Sequence, residues 1–164
     1  MPTIWQGVRS ALENADDETR SKFCVERVLC GGSGVPSDLM EFFLSRYKTQ
    51  FFQGWGMTEL SPNGSVGRLD VKREHASWTR EEQFSNVQKA GLLHPGLEAR
   101  IIDVNCSSCC SHDELVVEDG VASGELIIRG PYVTQEYFNH PTSTEASFVD
   151  LNDGGSTWLR TGDI

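Results

Sequence analysis

A strand-like run broken by a glycine-rich turn constrains this chain more than any other feature. Val25 to Cys30 is biased to apolar residues, Gly31-Gly32-Ser33-Gly34 interrupts it, and Pro36 opens a helical stretch. Leu39, Met40, Phe43, Leu44 and Tyr47 recur there at helical spacing. Asp38 and Glu41 fall in the first turn, where the positive end of the helix dipole favours acids. Thr49 to Gln53 follows as a second short strand. Strand, glycine turn, helix and strand make a βαβ unit, so the two strands are expected to run parallel with a right-handed crossover.

The rest of the chain has two characters. Upstream, Pro2 to Asn14 reads as a helix, with Ile4, Trp5, Val8 and Leu12 on one stripe and Pro2 in the first turn. Asn14 to Ser21 is polar and reads as a loop or a helix end. Ser61 to Leu93 is polar, carries a mixed charge run from Lys72 to Glu82, and shows no strong period. It is expected to be an extended surface excursion with one helix, the charge run forming a solvated face. From Leu97 the period changes to two: Leu97, Ala99 and Ile101 alternate with Glu98, Arg100 and Ile102. Glu125 to Arg129 and Trp158 to Arg160 read as further strands, punctuated by Gly96, Gly124 and Gly130. The expected fold class is α/β: an α/β part over 1–94 with the βαβ unit, then a β-rich part over 95–164 forming a small antiparallel sheet or open barrel.

Composition narrows the function. The formal net charge is -10 over 164 residues, which repels phosphate backbones and anionic lipid heads. Neither nucleic acid nor a membrane surface is expected as a partner, and a bound nucleotide would need local groups and magnesium. No apolar run reaches the roughly 20 residues of a membrane span, and Met1 to Ser10 lacks a signal-peptide profile. Five cysteines cannot all pair internally, so reduced thiols and a cytoplasmic location are expected. The sequons at Asn63 and Asn105 have no meaning without secretion.

Three clusters carry candidate chemistry. Gln53-Gly54-Trp55-Gly56-Met57-Thr58-Glu59 is expected just past the carboxyl end of a parallel strand, where ligands gather in open α/β sheets. Gly54 and Gly56 permit close approach of the backbone, Thr58 offers a hydroxyl to a phosphate oxygen, and Glu59 offers a carboxylate to magnesium. The plainer reading is a loop between two domains. Gly31-Gly32-Ser33-Gly34 can turn amides toward an anion or a flat ring, although no Gly-Lys-Ser/Thr follows to make a Walker loop. It serves equally as turn punctuation. Asp163, after Trp158-Leu159-Arg160-Thr161-Gly162, can accept hydrogen bonds from a ribose diol or simply close a turn.

Five motifs occur in register: Gly31 to Pro36; Gly54 to Glu59; Pro95-Gly96 with Arg100 to Asp103; Gly124-Glu125-Leu126 with Arg129-Gly130-Pro131; and Arg160 to Asp163. Together they resemble the adenylate-forming, AMP-binding superfamily over essentially the whole chain. Pro2-Thr3-Ile4-Trp5 and Trp55 to Pro62 look most like its medium- and long-chain fatty acyl-CoA synthetases. The resemblance implies a ligase that adenylates a carboxylic acid with ATP and magnesium, then transfers the acyl group to coenzyme A. It implies that Gly32, Ser33, Gly34 and Gln53 through Met57 bind the nucleotide. Gly31, Gly32 and Trp55 would border the acyl substrate. Thr58 and Glu59 would be catalytic, Thr58 at the α-phosphate and Glu59 carrying magnesium, and Asp163 would hold the ribose. Glu59 and Asp163 should then face one cavity.

The family's Ser/Thr/Gly-rich phosphate loop with its lysine is missing from this sequence, as is its small lysine-bearing domain. Helix signals starting near Met1 and a motif closing the chain read as an internal piece of a larger enzyme, inactive alone. The alternative is a non-catalytic nucleotide-binding or interaction remnant. A βαβ unit without neighbouring strands would leave an uncovered sheet edge, so association is expected. Cys106, Cys109, Cys110 and His112 count as four zinc ligands, but adjacent Cys109 and Cys110 point apart, and a variable surface loop is the plainer reading. His75, His94 and His140 receive no role.

Overall fold

The computed structural model describes residues 1–68, 77–104, 115–117 and 119–164. The cysteine-rich loop at 106–112, the sequon at Asn105, His75 and the part of the charge run over 72–76 lie outside the described residues. The chain forms two compact units, Met1–Met57 with Asn63–His94, and Thr58–Pro62 with Pro95–Ile164.

The first unit begins with α1 (Pro2–Asn14) and α2 (Asp17–Ser21), the second helix capped by Asp16, whose side chain accepts from the Thr19 N–H at 2.8 Å. β1 (Arg27–Gly31), α3 (Ser37–Tyr47) and β2 (Gln50–Trp55) follow. β1 and β2 are parallel, in register from Arg27 opposite Gln50 to Gly31 opposite Gly54, as the βαβ pattern requires. β3 (Ser65–Gly67) and β4 (Leu92–Leu93) extend the sheet antiparallel to give the order β1-β2-β3-β4. Between them α4 (Arg80–Gln88) starts at a reciprocal cap: the Thr79 hydroxyl accepts from the Glu82 N–H while Glu82 accepts from the Thr79 N–H.

The core of this unit is aromatic. Trp5 meets Phe43 and Phe51 edge-on, both with ring centroids 5.5 Å apart, and Val28, Cys30, Leu39 and Val87 fill the remaining space. Each large apolar side chain buried this way stabilises the unit by roughly 1.5–3 kcal/mol. Four details differ from the sequence reading. Asp17–Ser21 is a helix where a loop or a helix end is expected, because Asp16 caps its first turn. Ile4 faces solvent, because Pro2 and Leu12 define the buried side of α1. Phe42 joins the α3 stripe. The described residues of 61–93 hold two short strands besides one helix, and strands of two or three residues leave no period to detect.

The second unit opens with a 3-10 turn at Thr58–Leu60 and then holds β5 (Glu98–Ile102), β6 (Glu125–Arg129), α5 (Pro141–Ser147), β7 (Phe148–Val149) and β8 (Trp158–Arg160). Its sheet has the order β5-β6-β8-β7, antiparallel throughout. The antiparallel sheet is present, whereas the open barrel is not: β5 and β7 are the two edges among the described residues, and they do not pair. Trp158 centres the core with Ile102, Ile127, Val149 and Leu151. The Arg129 guanidinium lies 4.3 Å from its ring centroid and that of Arg100 5.0 Å. Arg129 is in turn neutralised by Asp153 at 2.8 Å and Glu98 at 2.9 Å. No helix among the described residues is long and apolar enough to cross a membrane.

Candidate functional site

In the first unit, Gly31 and Gly54 end the parallel pair side by side. β2 continues through Trp55, so Gly54 and Trp55 belong to the strand and not to a loop beyond it. A glycine in a run reads as punctuation, but here it permits close strand approach: a Cβ on Gly31 would stand 2.6 Å from the Gly54 carbonyl oxygen. Gly32 takes φ +86°, a left-handed conformation that turns the chain, and Ser33 and Gly34 are exposed.

Buried Gln53 fixes this turn. Its Oε1 accepts from the Val35 N–H at 2.9 Å, and its Nε2 donates to the Gln88 carbonyl at 3.0 Å. Gln88 Nε2 donates back to the Val35 carbonyl at 3.2 Å. Both ends of the Gln53 amide are thus used inside the protein, so this side chain shapes the glycine turn from behind. Trp55 is half-buried, with its carbonyl accepting from the Gly64 N–H at 2.9 Å; Gly56 is exposed and Met57 half-buried.

Thr58 and Glu59 belong to the second unit, in the 3-10 turn whose Leu60 is fully buried. The Thr134 N–H donates to the Glu59 carbonyl at 2.8 Å, and the Tyr137 hydroxyl donates to Glu59 Oε1 at 2.7 Å. The Tyr137 phenol sits above its usual range, chiefly through that hydrogen bond and further through burial, with Ser147 pulling the other way. Thr58 is exposed and Glu59 half-buried. Tyr137, Thr134 and Gln88 are site residues that the sequence does not single out. Tyr137 and Glu59 are 78 positions apart, and nothing local in Tyr132 to His140 signals the pairing.

Asp163 follows β8 on a backbone tied to β6. The Leu126 N–H donates to the Asp163 carbonyl at 2.9 Å, and the Asp163 N–H donates to Thr161 Oγ1 at 3.2 Å. Arg160 pairs with buried Glu125, whose other oxygen accepts from the Gly162 N–H at 3.1 Å. Asp163 is exposed at the end of this brace. A cavity of about 540 Å³ in the same unit is lined by Ala99, Ile101, Leu115, Val116 and Leu126 among others, and takes in neither Glu59 nor Asp163.

Magnesium needs few protein ligands when substrate phosphates complete its shell. The donors fit that use: among the described residues no three acidic, histidine or cysteine side chains cluster as a cage, while Glu59 offers a hard carboxylate already oriented through one oxygen. Glu59 is thus a residue that could hold such an ion.

Comparison with known proteins agrees with the motifs. The family model for AMP-binding enzyme matches residues 1–138. The medium-chain-fatty-acid–CoA ligase of Ectopseudomonas oleovorans is 31% identical over 167 residues, covering 100% of this chain and 26% of that protein. The long-chain-fatty-acid–CoA ligase of Thermus thermophilus is 30% identical, with 100% and 27% covered. Among solved structures, a long-chain-fatty-acid-CoA ligase from Archaeoglobus fulgidus shares the fold with a TM-score of 0.72 at 19% identity, over 99% of this chain and 30% of the other. The chain spans about a quarter of the length of the curated relatives it matches.

Proposed function

The chain belongs to the AMP-binding enzyme family, and we propose that it carries part of the ATP site of an acid–CoA ligase acting on a fatty acid. The ligase activities of the two relatives above support this reading. In such a reaction a carboxylate oxygen bonds to the α-phosphorus of ATP and pyrophosphate leaves. The thiol of coenzyme A then bonds to the acyl carbon, and AMP leaves.

In this reading Gly32, Ser33 and Gly34 line the nucleotide pocket, with Gly31, Gly32 and Trp55 beside the acyl group. Gln53 through Met57 run along nucleotide and substrate, Gln53 by holding the turn. Thr58 donates its hydroxyl to the α-phosphate, and Asp163 accepts from the ribose hydroxyls. Magnesium held by Glu59 would supply charge neutralisation on the phosphate oxygens. The observation that carries the reading is the pinned turn: Thr134 and Tyr137 fix Glu59 from main chain and side chain while Thr58 stays exposed.

Calorimetry with ATP, AMP and Mg2+ tests it. Heat of binding is expected, reduced by Glu59→Gln and by Asp163→Ala. Because the sequence holds no lysine-bearing phosphate loop, and one lost transition-state donor typically costs ~100- to 1,000-fold in rate, the chain alone should show no pyrophosphate exchange with fatty acids. The absence of any heat at millimolar nucleotide would remove the proposal.

A further inference from the structure

We propose that Tyr137 is a positioning residue for the cation of an ATP–metal complex: its hydroxyl holds Oε1 of Glu59 so that Oε2 is presented to the metal. The inference rests on the reading above in which Glu59 carries the cation, and it adds a residue that the motifs do not contain.

A carboxylate on a free side chain rotates and offers either oxygen, or both. Magnesium demands near-ideal octahedral geometry and is poorly served by a wandering ligand. Carboxylates that ligate metals are accordingly oriented by hydrogen bonds from behind. The 2.7 Å bond from Tyr137 to Glu59 Oε1 is of that kind, short and charge-assisted.

The phenol is itself held. The Tyr137 N–H donates to Thr144 Oγ1 at 2.9 Å, and that hydroxyl donates to the His140 carbonyl at 3.0 Å. The Tyr137 ring meets Phe148 with centroids 6.4 Å apart and planes at 61°. A tether for the 3-10 turn already exists, since the Thr134 N–H binds the Glu59 carbonyl at 2.8 Å. A second tether would not need to select one carboxylate oxygen, whereas an orienting group must.

The test uses the 164-residue chain with Mn2+ as the probe, free Mn2+ being counted by electron paramagnetic resonance with and without ATP. Tyr137→Phe keeps the ring against Phe148 and removes the hydroxyl. It should weaken Mn2+ binding in the presence of ATP by about 10-fold, the usual effect of losing an orienting partner, and leave metal-free ATP affinity unchanged. Thr144→Val, which frees the Tyr137 backbone without touching Glu59, should weaken Mn2+ in the same direction but less, and replaces Tyr137→Phe should that chain fail to fold. Equal loss of metal-free and Mn2+-dependent affinity would make the role merely structural and overturn the proposal. Glu59→Gln separates the two readings. If it abolishes Mn2+ binding while Tyr137→Phe matches wild type, the tyrosine assignment falls and Glu59 stands. If it binds Mn2+ like wild type, or wild type binds none, both fall.

Discussion

Gly31 and Gly54 are register partners at the carboxyl ends of β1 and β2, and a Cβ on Gly31 would sit 2.6 Å from the Gly54 carbonyl oxygen. Backbone cannot yield at that distance as a flexible side chain can. The pair therefore sets how closely the glycine turn after β1 lies beside the Gly56–Met57 segment after β2. Gly31→Ala is expected to destabilise the chain by ~1–3 kcal/mol through overpacking. Gly54→Ala should cost less, because its Cβ would meet only Leu29, at 3.4 Å. Urea midpoints for the two variants decide the point, and equal costs would contradict the geometry.

The Val35 N–H, in a residue with no exposure, has Gln53 Oε1 as its acceptor. Gln53→Ala should leave that donor buried without a partner, at ~1–3 kcal/mol. Loosening the turn should also weaken ATP binding. Gln88→Ala removes only the 3.2 Å donor to the Val35 carbonyl and should be milder on both counts. A Gln53→Ala chain as stable as wild type would show that the turn needs no such support.

What the sequence reveals here follows from which contacts are local. The βαβ unit and the span of α1 are legible because period, Pro2 and the glycine turn all act within a few residues. β3, β4 and β7 are not, since strands of three, two and two residues carry no alternation. Thr58, Glu59 and Asp163 stand out as motif members, but what holds them does not. Tyr137 reaches Glu59 across 78 positions, and Glu125 braces the Gly162 N–H across 37. From sequence the second strand ends at Gln53, because glycine signals a turn in isolation, while the pairing of Gly54 with Gly31 is a property of the register.

Asp153 offers a dependence on pH. Burial by itself would raise its carboxyl, but the Arg129 hydrogen bonds, with the Gly155 N–H and the charges of Arg129 and Arg100, outweigh burial and hold it below the ordinary aspartate range. A carboxyl depressed on folding contributes stability that is fully present above its unfolded value of about 3.9 and is lost as pH falls through the folded value. Wild type should therefore lose stability more steeply than Asp153→Asn between about pH 5 and pH 2. Urea denaturation across that window measures both, and parallel curves would mean that the pair contributes nothing to the acid response.

Among the described residues β1 is an edge of the first unit's sheet, and Leu29 on it is 60% exposed. An edge strand offers unpaired main-chain donors and acceptors to another chain, and natural edges are commonly blunted by lysine or proline. β1 holds neither; its one charge is Arg27 at the start. We propose that copies of the chain associate through this edge, against the net charge of -10 that opposes it. Sedimentation at rising concentration should show species heavier than the 18.2 kDa chain, more of them at high salt, where screening weakens the repulsion. Leu29→Lys should shift the distribution toward monomer while leaving the urea midpoint nearly unchanged, since an exposed side chain contributes little to the fold. A wild-type chain that stays monomeric at high salt, or a lysine variant that associates as readily, would place any self-contact elsewhere than β1.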